Sequence, residues 1–241
     1  MRAARQTDQW STRSSERARR VAAPARPSVR TINRTSGFDR KLDHVLAAGA
    51  RVMSREGYGQ ATIRQVAGES GMSLAGLYHY FSSKEELLFL LQFHTFDSIV
   101  SALKAKLEAV TEPRERLRVL IANHLEHFLA RMDELKVCAH EMESLGGEYY
   151  RRVQDLRRQY FRIALETVEA VGAQAGGTKV KARLATLYLF GMLNWIYMWY
   201  PAERGTSGDV LANELITLFL EGYLPRPAVR GGREKARKRD V

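Results

Sequence analysis

Between Thr62 and Glu86 the chain reads TIRQVAGESGMSLAGLYHYFSSKEE, a stretch that leaves little choice of local structure. Thr62 with Gln65 three residues later is a capping box, in which side chains satisfy the orphan N–H groups of a helix start. Ile63, Val66 and Ala67 then fall on one side of the helix. Gly71 stops it, because glycine enters the left-handed region without steric cost. Ser73 caps a second, very short helix whose Leu77 and Phe81 lie one turn apart and face a common core. Ser83 and Glu86 form another capping box and launch a long apolar run. Two helices joined by a glycine turn of three or four residues make a helix-turn-helix, whose second helix suits a DNA major groove.

The same residues carry a family resemblance. The segments TIRQVA, GMS and LYHYFSSKEEL, in this order and spacing, resemble the DNA-binding domain of TetR-type (TetR/AcrR) transcriptional regulators. The likeness is close from Phe38 to about Leu91 and holds in outline beyond. It implies a DNA-facing set of Thr62, Arg64, Ser73, Ala75, Gly76, Tyr78, His79, Tyr80 and Lys84. Within that set Ala75, Gly76 and His79 would face bases, and Tyr78, Tyr80 and Lys84 would meet phosphates. Arg64 projects from the first helix of the pair and suits a bidentate contact to a guanine edge. Leu74 is a conflict: its spacing from Leu77 and Phe81 points inward, whereas the family often uses that position on DNA. Because Ala75 and Gly76 are small, direct base readout is sparse and DNA shape carries part of the specificity.

Charge tests the nucleic-acid reading. The net charge is +11, yet residues 1–37 carry nine arginines against two acids and residues 225–241 seven basic residues against two. The middle of the chain is therefore left at −1. From Phe38 to Leu88 six basic and six acidic residues balance, so phosphate attraction must come from local placement or from the tails. Residues 1–35 show no apolar period and read as a disordered basic arm; residues 225–241 read as a basic tail. Cys138 is the only cysteine. That usage, with no secretory h-region, fits a reducing, cytoplasmic setting.

Elsewhere the chain is helical in period. A first helix carries Phe38, Leu42, Val45, Leu46, Ala50 and Met53 and ends at Gly57. Longer helices follow from Lys84, Arg114, Asp133, Tyr149, Val180 and Asp209, and the arginines at 151, 152, 157 and 158 read as a solvated face. The run Leu184–Tyr200 is apolar on every side. A membrane span, a fully buried helix and a dimer interface all compete for it; 17 residues with Asn194 inside fall short of the roughly 20 a span needs. A twofold interface suits it best, with Leu189, Met192, Ile196, Leu215 and Phe219 as its residues. TetR-type proteins dimerise through their last two long helices.

The expected fold is thus all-α. It has a three-helix helix-turn-helix DNA-binding domain over 36–83 and a helical effector-binding and dimerisation domain over 84–224. Phe93, Phe96, Phe128, Met142, Tyr149 and Phe161 are candidates to line an apolar effector chamber. His124, His127 and the set around His140 lack the tight ligand arrangement of a zinc site, so no metal is expected. No cofactor is expected either, and there is no nucleotide-binding or hydrolase motif to support an enzyme. The pattern Asn194-Trp195, Trp199-Tyr200-Pro201, Gly205 and Ser207 is similar to that of TetR-type regulators answering acyl-CoA thioesters. The resulting expectation is a homodimeric repressor on a palindromic, double-stranded DNA operator, released by an apolar small molecule and not membrane-bound. A same-fold activator, a regulator answering a partner protein and a membrane-associated helical protein are the alternatives.

Overall fold

The computed structural model describes residues 36–200 and 207–223, which are helical with no strand among the described residues. From Gly37 onward they belong to one compact unit. The basic arm and tail, together with Pro201 and Gly205, lie outside the described residues.

Three helices build the N-terminal part: α1 (Ser36–Glu56), α2 (Ile63–Ser70) and α3 (Leu74–Leu77). Leu42, Val45, Leu46 and Met53 of α1 close over Val66, Leu77 and Phe81, all of them buried. The spacing argument for Leu77 and Phe81 holds, although α3 ends at Leu77 and Phe81 lies beyond the following turn.

Helix α4 (Lys84–Leu107) runs from this part into the rest of the chain. It sets Leu87 against Gly49 of α1 and, burying Leu88, Leu91, Phe96, Ile99 and Leu103 as well, packs on α5 (Pro113–Leu129), α6 (Met132–His140) and α7 (Gly147–Gln174). Its length and composition alone would allow a membrane span, but half of its apolar window is buried inside the protein. A helix apolar on most sides and covered by neighbours is a core helix. Helix α8 (Ala182–Asn194) packs on α7, and α9 (Gly208–Tyr223) packs on α5.

Two sequence expectations change here. The run expected as one helix from Val180 to Tyr200 stops at Asn194 and continues as a 3₁₀ turn, Ile196–Met198. Thirteen residues rise only about 20 Å, short of a hydrocarbon core of about 30 Å. The second change concerns the interface set. Leu189, Ile196 and Phe219 are buried in the protomer's own core, and Met192 and Leu215 are half-buried. The large apolar residues facing out are Leu184, Leu187, Tyr188, Trp195, Met198, Trp199, Val210 and Leu218. Both faces of the run are apolar, so its periodicity could not say which one the protomer keeps.

Candidate DNA-reading head and effector chamber

Each end of the helix-turn-helix is held by its own side chains. Thr62 N–H donates to Gln65 Oε1 at 2.8 Å while Gln65 N–H donates to Thr62 Oγ1 at 3.3 Å, completing the capping box. Gly71 terminates α2 at φ 66°, in the left-handed region. Ser73 Oγ then accepts Gly76 N–H at 3.1 Å. A Cβ at position 76 would lie 3.2 Å from that oxygen, so glycine suits the tight cap. His44 Nε2 donates to the Ser70 carbonyl at 3.0 Å and ties α1 to the end of α2.

Of the DNA-facing set, Thr62, Arg64, Ser73, Ala75, Tyr78 and His79 are exposed, and Gly76 and Tyr80 are half-buried. The Leu74 conflict resolves outward: Leu74 is 38% exposed and joins this surface. With α3 a single turn long, its first residue stays at the rim while Leu77 alone reaches the core.

Lys84 is placed differently from the phosphate-facing expectation. Its ammonium donates to the carbonyls of Tyr58 at 2.8 Å, Ala61 at 3.0 Å and Gly59 at 3.1 Å, and lies 4.5 Å from the centre of the Tyr58 ring. An ammonium has three hydrogens, and all three meet the loop between α1 and α2. Arg51 is likewise engaged, pairing with Glu69 at 2.6 Å, with Arg55 at 3.6 Å from the same carboxylate. The hydrogen bond from Arg51 holds the Glu69 carboxyl below its ordinary range. Half of the domain's six basic residues are therefore occupied within the protein, and Arg64 and Lys41 are left projecting to solvent.

Beyond this part, α4–α8 line a half-open chamber of about 650 Å³. Phe96, His124, Phe128, Cys138, Tyr160 and Phe190 form its apolar wall, and Arg158, Arg162 and Arg183 stand exposed at its edge. The Tyr160 and Phe190 rings are 5.4 Å apart, and the Arg183 guanidinium lies 5.4 Å over Phe161. Arg157 lines the chamber too, donating to the Cys138 carbonyl at 2.8 Å with its guanidinium 5.1 Å over Phe96. Burial pushes the Cys138 thiol up to about 12, which makes it an inert wall group.

Three of the six residues singled out for a chamber meet there: Phe96, Phe128 and Phe161. Phe93 and Tyr149 belong instead to a cluster around Phe89. There Tyr149 stacks on Phe89 at 4.4 Å, and the Arg152 guanidinium lies 4.7 Å over Phe93. Met142 sits in the 3₁₀ turn after α6. The histidines read as pocket-lining or surface residues, and His124 does line the chamber; the missed wall residues are Tyr160 and Phe190, and the missed edge is arginine. The one legible signal was the arginine ladder of α7, which reads as a solvated face until α6 and α8 stand beside it. No group of three metal-donor side chains converges among the described residues.

A short, exposed second helix behind a glycine turn, carried by a helical body with its own chamber, defines a helix-turn-helix DNA-binding regulator. Two family models then match in sequence: residues 45–91 fit the bacterial regulatory proteins of the tetR family, and 110–223 the tetracyclin repressor-like C-terminal domain. The chain belongs to the TetR family of transcriptional regulators. Its relatives include the fatty acid metabolism regulator protein of Bacillus subtilis, 22% identical over 190 residues, covering 76% of this chain and 95% of that protein. A TetR-family regulator from Bordetella parapertussis superposes with a TM-score of 0.69 at 26% identity, over 75% of this chain and 94% of the other. AibR, solved in complex with isovaleryl coenzyme A and operator DNA, shares the fold at a TM-score of 0.65 and 22% identity, over 74% of this chain and 97% of its own.

Proposed function

We propose that this chain is an operator-binding homodimer whose DNA affinity is lowered by an anionic molecule with an apolar arm, such as an acyl-CoA thioester. Residues 36–83 are its DNA-reading head and 84–224 its effector and dimerisation domain, and it acts as a cytoplasmic repressor. The observation that carries the reading is the chamber, apolar in its wall and cationic at its edge. The Bacillus subtilis relative is named for fatty acid metabolism, and AibR shows that this fold can hold a coenzyme A thioester and operator DNA together.

The contacts also supply a route from effector to DNA. Helix α6 forms part of the chamber wall and touches the head from its middle and from its C-cap. Lys136 Nζ donates to the Ser54 carbonyl at 2.6 Å, and Tyr58 N–H donates to Glu141 Oε1 at 3.1 Å. Arg157 holds the same helix from the chamber side. An anionic effector competing for Arg157 loosens α6 and with it the loop 57–61. It releases DNA only insofar as it favours a state in which two heads no longer match successive major grooves.

In the head, Arg64 reads a base edge and Tyr78 meets phosphate. Site selection with Arg64→Ala should relax preference at one base pair by about 1–3 kcal/mol, whereas Tyr78→Phe should weaken all sequences alike. The deciding measurement for the effector is operator affinity with and without octanoyl-CoA. A several-fold loss is expected in the native chain and a smaller one in Glu141→Gln, since couplings of this kind run about 1–3 kcal/mol. Unchanged affinity across a series of acyl-CoA chain lengths would remove the acyl-CoA reading.

A further inference from the structure

The most deeply placed polar pair in the chamber is His124 with Tyr160. His124 is 2% exposed, and its ring lies 4.8 Å from Phe128 and 6.2 Å from Phe190, both chamber residues. Its Nδ1 is 3.2 Å from the Tyr160 hydroxyl, while Nε2 is buried with no protein partner. Burial keeps the ring neutral, with a pKa of about 3.

Two tautomers satisfy that one contact, and they differ in what they leave behind. If the Tyr160 O–H donates to Nδ1, only Nε2–H is without an acceptor. If Nδ1–H donates to the Tyr160 oxygen, both the phenol hydrogen and the Nε2 lone pair are left unmet. Each buried unmet group costs stability, so the first arrangement is favoured. His124, a lining residue, then carries one unmet N–H donor buried among aromatic rings.

We propose that the effector's apolar arm carries an acceptor oxygen that takes the Nε2–H of His124, while its anionic group rests among Arg157, Arg158, Arg162 and Arg183. A plain alkyl chain leaves the donor unmet and is discriminated against for that reason. The proposal rests on the effector-chamber reading above and narrows it. The oxygen has two chemical sources: the thioester carbonyl of a short acyl chain, or an oxo group on a longer skeleton.

Two sets of probes on the full-length protein test this separately from the coenzyme A reading. Acetophenone and ethylbenzene differ only by a carbonyl. Acetophenone should move the His124 Nε2 resonance in ¹⁵N spectra and ethylbenzene should not, a readout that needs no variant. The ketone-over-hydrocarbon preference should also fall roughly tenfold in His124→Phe, the effect of removing one hydrogen bond. An Nε2 resonance indifferent to acetophenone overturns the proposal. In the second set, butanoyl-CoA outbinding S-butyl-CoA assigns the oxygen to the thioester, and 7-oxooctanoyl-CoA outbinding octanoyl-CoA assigns it to the skeleton. If all four bind with no preference in either pair, the proposal is overturned. If none binds while acetophenone moves Nε2, the coenzyme A reading fails and the His124 assignment stands.

Discussion

Lys84 and His124 show how far a side chain's surroundings alter its role. A lysine at the start of a helix beside DNA reads as a phosphate contact, yet its three donors close the loop between α1 and α2. Lys84→Met should therefore lower stability by about 1–3 kcal/mol, seen as a reduced urea midpoint at unchanged slope. Weaker DNA binding at unchanged stability would restore the phosphate role. His124 makes a second prediction. Burial depresses it from its ordinary 6.5 to about 3, and burial with Arg131 nearby depresses His127 to about 4. The unfolded chain thus takes up protons that the folded chain refuses. Stability is full above about pH 6.5 and should fall on acidification, by at most about 1.4 kcal/mol per pH unit for each histidine. Denaturation midpoints between pH 7 and 4.5 check this, and His124→Phe should flatten the curve.

At the scale of elements, α8 and α9 each show two apolar faces. The inner ones carry Leu189, Leu193, Ile216 and Phe219, all buried in the protomer. The outer ones expose Leu184 at 43%, Tyr188 at 61% and Leu218 at 66%. Contiguous apolar surface of this kind marks an association site. Two helices from each subunit would close it as a four-helix contact about a twofold axis. Tyr188→Glu or Leu218→Glu should give folded monomers that lose operator binding, measured by sedimentation and circular dichroism. Leu189→Glu should unfold the protomer instead, because its site is inside. A Tyr188→Glu protein that stays dimeric would move the interface elsewhere.

For the whole molecule, the question is where attraction to a polyanion comes from. Arg51, Arg55 and Lys84 have protein partners, so the neutral head has little charge to spare for phosphate. The arm of residues 1–35 lies outside the described residues but precedes α1 directly in the chain. Its nine arginines suit an adjacent narrow minor groove, where negative potential is enhanced. Removing the arm should weaken operator binding and flatten its salt dependence, by about 0.9 in log–log slope for each phosphate that the arm neutralises. Affinity measured at several salt concentrations decides it, and parallel lines for the two proteins would make the arm a bystander.

Caps, turns and periodicity are local, and the sequence determined them alone. The Thr62–Gln65 box, the Gly71 stop and the Ser73 cap each depend on atoms within a few residues, and the helical order of the chain follows from its apolar spacing. Whatever depends on which neighbour arrives had to wait for the tertiary structure. The α7 arginines look like a solvated face until α4 and α6 arrive, where Arg157 lies over Phe96 and donates to the Cys138 carbonyl. Phe93 and Phe96 lie three residues apart on α4, but only Phe96 reaches the chamber. Lys84 finds its carbonyls more than twenty residues back along the chain. Burial is a property of packed surfaces, and no window of sequence contains the opposite wall.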